Sequence, residues 1–136
     1  AYEIRPRHWI SDVCSSDLVD VRLGSPTFGR WTAEVLSADN FKQLYIPEGY
    51  AHGFCVLSER AQVSYKCTAL YDPADEMGIA YDDPELAIMW PVQTPILSDR
   101  DRRNPPLSAA MGRLAGARDG VIPTPMVVPA SATAKL

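Results

Sequence analysis

Short apolar runs separated by turn residues make up the middle of the chain. Between residues 43 and 71, the apolar runs 44–46 and 54–57 are followed by a stretch, 63–71, in which Val, Tyr, Cys, Ala and Tyr alternate with mostly polar residues. Alternation with a period of two indicates β-strands, and the Pro-Glu-Gly and Ser-Glu-Arg sequences between the runs are typical of turns. This stretch therefore predicts three consecutive strands.

The same pattern continues on both sides of this stretch. Residues 19–23 (VDVRL) and 31–36 (WTAEVL) flank the turn sequence GSPTFG and predict a β-hairpin, and residues 86–90 predict a further short strand. Many short strands with turns at regular spacing are typical of a β-sandwich or barrel. The predicted fold class is therefore all-β.

The pattern changes in the last third of the chain. Ser98, followed by charged residues, is a candidate helix N-cap, and residues 107–114 predict a short helix. From residue 115 to 136 the composition is Gly, Ala, Pro, Ser and Thr without a period, which predicts a flexible tail.

Residues 1–18 fit neither the strand period nor the helix period. The string resembles the conceptual translation of sequencing-adapter read-through. We therefore predict a non-native segment at 1–18, a partial domain at 19–114 and a tail at 115–136. The natural coding sequence is expected to begin near Val19 with its own N-terminus missing, so His8, Trp9 and Cys14 are left out of functional reasoning.

Composition narrows the classes of function. The 136 residues carry a net charge of −4 and no basic run, which argues against a nucleic-acid-binding protein, and no apolar stretch approaches the length of a membrane span. The three cysteines form no Cys-x-x-Cys pair, which favours a reducing cytoplasm over a disulfide-rich secreted protein. His52 is the one histidine outside residues 1–18, so a clustered-histidine metal site is not expected, and neither is a metal-dependent dioxygenase.

Three places carry candidate chemistry, and each has a plain structural alternative. His52 is either a histidine held by ordinary hydrogen bonds or part of a polar cavity. Tyr65 is either a core tyrosine or a general acid aimed into that cavity. The charged run 99–101 is either a solvated helix start or a carboxylate and a cation that orient a histidine and hold phosphate.

Taken in order, these motifs resemble the dTDP-4-dehydrorhamnose 3,5-epimerase family. The resemblance runs through VDVRLGSPTFGRW, LSADNFKQLYIPEGYAHGF, YKCTALYDP, EMGIAYDDPELAIMWP and PILSDRD, and covers about residues 19–105. It implies a double-stranded β-helix barrel, the cupin or jelly-roll fold, here incomplete at its N-terminus, and a homodimer in the cytoplasm.

The resemblance also implies roles for individual residues. The family inverts C3 and C5 of dTDP-4-dehydro-6-deoxy-D-glucose, giving dTDP-4-dehydro-L-rhamnose for dTDP-rhamnose biosynthesis. Because both carbons flank the C4 ketone, removal of an α-proton gives an enolate, and no metal or redox cofactor is needed. The matched positions are Tyr65 as the general acid, Asp101 as the carboxylate that orients the base, and His52, Lys66, Glu76 and Arg100 as substrate contacts.

One departure from the family is serious. The family's catalytic base is a histidine in an Arg-Gly-Leu-His segment upstream of VDVRL, and residues 1–18 contain no such segment. His8 has unmatched neighbours and is no substitute. Two other readings therefore stay open: a related 3- or 5-epimerase of another nucleotide-linked 4-keto sugar, and a non-catalytic cupin that binds sugar nucleotides.

Overall fold

A computed structural model of the chain describes residues 13–68, 70, 76–114 and 126–129. Antiparallel strands dominate the described part of the chain, with little helix. The elements, in chain order, are β1 (Val13–Asp20), β2 (Trp31–Ser37), β3 (Lys42–Tyr45), β4 (Tyr50–Val56), a 3₁₀ turn (Asp101–Arg103), α1 (Leu107–Leu114) and β5 (Met126–Pro129).

The strands form two small antiparallel sheets. The larger has the order β2-β1-β4, and β3 pairs with β5 in the smaller. Neither sheet closes on itself among the described residues. The all-β class predicted from the sequence is confirmed, in the form of an open sheet.

The predicted hairpin is present, with a longer first strand. β1 begins at Val13, ahead of the predicted start at Val19, and ends at Asp20, so the remaining apolar residues of VDVRL lead into the turn. The turn is held by its own backbone: the amide of Ser25 donates to the carbonyl of Arg22 (3.1 Å), and the amide of Gly29 to that of Asp20 (2.8 Å). Gly29 has a φ of 73°, in the left-handed region that glycine adopts without strain.

The register gives the larger sheet two different faces. Leu18 lies opposite His52 and so shares a face with it, here called the His52 face, because directly opposed residues point to the same side of a sheet. Val19 lies opposite Ala51 on the other side, here called the core face. The core face packs against the C-terminal half of the described chain in one buried cluster: Val19, Val21, Leu86, Leu107 and Ala110.

Two predicted strands are not found. Residues 61–68 run without a hydrogen-bonded neighbouring strand, and the side chain of Tyr65 is 80% exposed. Residues 69 and 71, the end of that predicted strand, lie outside the described residues. Leu86 lies in a turn rather than in a strand, because the carboxylate of Asp83 accepts the amides of Glu85 (2.8 Å) and Leu86 (3.0 Å).

The helix prediction is confirmed at 107–114, the bounds of α1. Its first amide, that of Leu107, donates to the second carboxylate oxygen of Asp83 (2.6 Å), which ties the helix to the turn at 83–86. In the predicted tail, residues 126–129 form β5, where no regular structure was expected. The other residues from 115 onward lie outside the described residues.

Candidate active site

His52 lies inside β4, two residues before the apolar run 54–57 from which this strand was predicted. It shares the His52 face with its neighbours at i−2 and i+2, Tyr50 and Phe54, and its ring centroid is 6.2 Å from that of Phe54 at an interplanar angle of 30°. The residue keeps an exposed surface, yet burial among protein atoms lowers the pKa of its imidazole below the ordinary value of 6.5. Burial therefore favours the neutral form of the imidazole, and part of the ring remains in contact with solvent.

Glu76 and Arg100 are brought together by the fold. A guanidinium nitrogen of Arg100 donates to a carboxylate oxygen of Glu76, and the pair spans 24 positions of the chain. The Arg100 side chain is 65% exposed and that of Glu76 is 35% exposed. Exposed ion pairs contribute only about 0–1 kcal/mol to folding stability. The contact between Glu76 and Arg100 can therefore rearrange at little energetic cost when a charged ligand binds.

Asp101 begins the 3₁₀ turn, and its partner is Ser98. The Ser98 hydroxyl donates to the Asp101 carboxylate (2.6 Å) and accepts the backbone amide of Asp101 (3.1 Å). The prediction of Ser98 as the N-cap is wrong: Arg100 occupies the N-cap position of the turn without a capping side-chain hydrogen bond, and Ser98 contacts the turn from two residues earlier. The Asp101 carboxylate, which was expected to orient a histidine, is instead hydrogen-bonded to the Ser98 hydroxyl.

Tyr65 and Lys66 both lie in the exposed segment after β4. Among the residues that the structure describes, no hydrogen bond joins Tyr65, Asp101 and His52 to one another. The structure therefore brings together one pair of the predicted site residues, Glu76 with Arg100, and leaves the roles of the six as predictions.

Sequence reasoning missed a polar cluster at the end of β1. The Asp20 side chain is 2% exposed and accepts five hydrogen bonds: from the backbone amide (3.0 Å), Nε (2.8 Å) and Nη2 (2.7 Å) of Arg22, and from the hydroxyls of Ser25 (2.6 Å) and Thr27 (2.5 Å). Burial on its own raises the pKa of this carboxyl, but the hydrogen bonds from Arg22, Ser25 and Thr27 outweigh burial and hold it well below its usual range. In the sequence, this cluster could have been recognised from an Asp-x-Arg motif followed by hydroxyl-bearing residues in the turn.

Asp17, in the same strand, has the opposite surroundings. It is 1% exposed, its Oδ1 has no hydrogen-bond partner, and its Oδ2 accepts one long bond from the Ser15 hydroxyl (3.3 Å). Burial raises the pKa of this carboxyl, and the bond from Ser15 offsets that effect only in part. An unpaired charged oxygen in a sheet interior is costly, and nothing in the predicted chemistry uses it.

No group of three or more His, Cys, Asp and Glu side chains suited to a metal ion occurs within the described ranges. The expectation of a metal-free and cofactor-free reaction stays a prediction. Within the same ranges, no helix has both the length and the apolar character to cross a bilayer.

Comparison with known proteins places this fold among the epimerases of nucleotide-linked sugars. The chain superposes on RmlC from Legionella pneumophila, a dTDP-6-deoxy-D-glucose-3,5-epimerase solved with dTDP-4-keto-L-rhamnose, with a TM-score of 0.72 and 39% identity over 81% of this chain and 63% of that one. The cupin-type fold predicted from the sequence is thereby confirmed, with sheets that stay open among the described residues.

Two curated relatives are similar in sequence. A dTDP-4-dehydrorhamnose 3,5-epimerase of Shigella flexneri is 54% identical over 83 residues, which are 61% of this chain and 46% of that protein. A dTDP-4-dehydrorhamnose 3-epimerase of Streptomyces niveus is 45% identical over 108 residues, which are 79% of this chain and 49% of that protein.

The sequence profile of the dTDP-4-dehydrorhamnose 3,5-epimerase family matches residues 12–109, and the chain belongs to this family. The chain spans about half, or less, of the length of the curated relatives it matches.

Proposed function

We propose that the protein carrying this chain inverts C3 and C5 of dTDP-4-dehydro-6-deoxy-D-glucose to give dTDP-4-dehydro-L-rhamnose. The observation that carries the proposal is the family match over residues 12–109, together with the ligand of the similar Legionella structure. The dTDP-linked sugar is the proposed substrate, the homodimer the proposed assembly and the cytoplasm the proposed location.

Epimerisation next to the C4 ketone can be carried out by side chains that remove and return a proton. A proton on the carbon next to the C4 ketone is acidic enough for a side-chain base, and the enolate that remains is reprotonated from the opposite face. We assign that second step to the phenol of Tyr65. Its exposed position leaves the hydroxyl accessible to a bound sugar.

The charged residues of the site suit the substrate's other parts. Arg100 offers a planar guanidinium, which binds diphosphate oxygens in a bidentate manner, and its weak contact with the exposed carboxylate of Glu76 can give way to them. Lys66 adds a second exposed cation. Asp101 is assigned to orienting the catalytic base, and His52 to contact with the sugar.

A 3-epimerase is the second candidate, because the Streptomyces niveus relative with that name covers more of this chain than the Shigella enzyme does. A cupin that binds sugar nucleotides without turnover is the third. It is supported by the lack of an Arg-Gly-Leu-His segment in residues 1–18.

The experiment follows deuterium from heavy water into the sugar. Residues 1–18 are replaced by the matching segment of a family member that carries Arg-Gly-Leu-His, and the product is read by NMR. We expect deuterium at C3 and C5, and a large loss of uptake in Tyr65→Phe, which keeps the ring and removes the proton donor. Uptake at C3 alone would identify a 3-epimerase, and dTDP binding without uptake would identify a binding protein.

A further inference from the structure

The cluster around Asp20 does more than close a turn, because it reaches the strand that carries His52. Nη2 of Arg22, which donates to Asp20, also donates to the phenol oxygen of Tyr50 (2.9 Å), 28 positions further along the chain. Cζ of the same guanidinium lies 4.9 Å from the centroid of the Tyr50 ring. One cation is therefore anchored by a buried carboxylate and holds a tyrosine through both its ring and its hydroxyl.

Tyr50 is the first residue of β4 and stands directly opposite Asp20 in the register. His52 follows two positions later on the same face, opposite Leu18. Because side chains at i and i+2 of a strand lie on one face, Tyr50, His52 and Phe54 share that face, and the Phe54 ring centroid lies 6.2 Å from that of the imidazole.

The backbone beneath these rings is tied to the same place. The amide of Val21 donates to the carbonyl of Gly49 (3.1 Å), the residue just before β4. Gly49 has a φ of 81°, so the chain enters β4 through a left-handed turn that a larger residue adopts only with strain. Side chain and backbone thus fix the entry to β4 from the same hairpin.

We propose that Arg22 and Tyr50 are positioning residues for His52, with Asp20 as their anchor. They act by holding the start of β4, so that the imidazole presents one orientation to the sugar. This rests on the function proposed above only in assigning His52 to sugar contact. The alternative is that the cluster stabilises the hairpin and has no effect on the imidazole.

The test reads His52 directly by NMR, in a His8→Gln background that leaves one imidazole signal. Tyr50→Phe removes the hydroxyl bond and keeps the ring, so the variant is expected to fold. Arg22→Ala removes the whole contact, and Arg22→Lys keeps the charge without the planar fork. Lys42→Ala is the matched control, since it breaks a different ion pair, which joins β3 to Glu34 of β2.

We expect the imidazole signal to broaden or shift in Tyr50→Phe and, more strongly, in Arg22→Ala. Its titration midpoint should move up towards 6.5, because a loosened ring regains water. The response of the signal to dTDP-4-dehydro-6-deoxy-D-glucose should need about tenfold more ligand in Arg22→Ala. Arg22→Lys should fall between this variant and the unaltered protein, and Lys42→Ala should match the latter.

An unchanged imidazole signal and midpoint in both Tyr50→Phe and Arg22→Ala, with lowered thermal stability, would overturn the proposal and leave a structural role. If the unaltered protein binds no sugar nucleotide, the proposed function fails instead, and the ligand-free signals still decide the positioning role.

Discussion

Two aspartates three positions apart in β1 have opposite surroundings, although both are almost fully buried. Asp20 accepts five hydrogen bonds, and its pKa lies well below the usual range. Asp17 accepts one long bond, has an unpaired oxygen, and its pKa is raised by burial. The neighbours of Asp20 thus supply hydrogen-bond donors to its carboxylate, whereas those of Asp17 leave one carboxylate oxygen unpaired.

The change between the two lies at the predicted boundary before Val19. After it, the buried carboxylate of Asp20 has partners supplied by Arg22, Ser25 and Thr27. Before it, two serines and Asp17 occupy buried positions in the central strand of the sheet, where apolar residues are the rule. That residues 1–18 are not native to the fold stays a prediction.

The largest effect is expected for Asp20→Ala. Removal of the carboxylate takes the shared acceptor from a partly exposed guanidinium and from two hydroxyls, and the loss of these charged hydrogen bonds should lower the free energy of unfolding by about 3 kcal/mol. Urea denaturation measures it, with Lys42→Ala as a control expected to cost about 0–1 kcal/mol. Equal losses in the two variants would contradict the view that Asp20 organises the turn.

Asp17→Val should have the opposite sign. The substitution removes the unpaired oxygen and places a β-branched residue in a central strand, so we expect a gain of about 1–3 kcal/mol in unfolding free energy. The added bulk stands opposite Gly53, over which a Trp90 ring carbon lies 3.0 Å from the place of a Cβ. Asp17→Asn is the near-isosteric companion, and a loss of stability in both variants would refute the proposed misfit.

The pH dependence of stability should also separate the two aspartates. Asp20 has a lowered pKa, so its contribution is complete above the unfolded value of about 3.9 and is lost as the pH falls through the folded value. Asp17 has a raised pKa, so the folded state holds its proton longer and stability falls as the pH rises from about 4 through that raised value.

Denaturation series from pH 3 to 7 on the unaltered chain and on Asp17→Asn provide the check, because the contribution of His52 cancels in the difference. We expect the difference in unfolding free energy to grow with pH. A difference that is constant across the range would show that Asp17 titrates as an ordinary carboxyl.

The smallest effect is expected for Thr27→Val. It keeps the shape of the side chain and removes one of five donors to Asp20, which should cost about 1 kcal/mol in the same denaturation experiment. A cost near that of Asp20→Ala would mean that this hydroxyl, and not the guanidinium, dominates the cluster.

The sequence correctly predicted those elements that are determined by residues close together in the chain. The hairpin follows from GSPTFG between two alternating runs, and α1 follows from the apolar spacing after Pro106. The strand predicted at 63–71 failed because alternation shows which side chains can share a face and does not supply a neighbouring strand. The strand at 126–129 had no local signal, since its partner β3 lies far away in sequence.

The candidate site was predictable to a similar extent. The motifs that resemble the family name six residues, of which Glu76 and Arg100 meet in the structure. The role of Arg22 was invisible in sequence, because it depends on a contact with Tyr50 28 positions away and on a register that only the folded sheet defines.

The most direct test of the account compares the unaltered chain with one in which residues 1–18 are replaced by a family segment that carries Arg-Gly-Leu-His. The measurement is the rate of deuterium uptake from heavy water into dTDP-4-dehydro-6-deoxy-D-glucose. We predict uptake at C3 and C5 only in the replaced chain. Equal uptake by both chains would contradict the account, since the base would then lie within the residues already present.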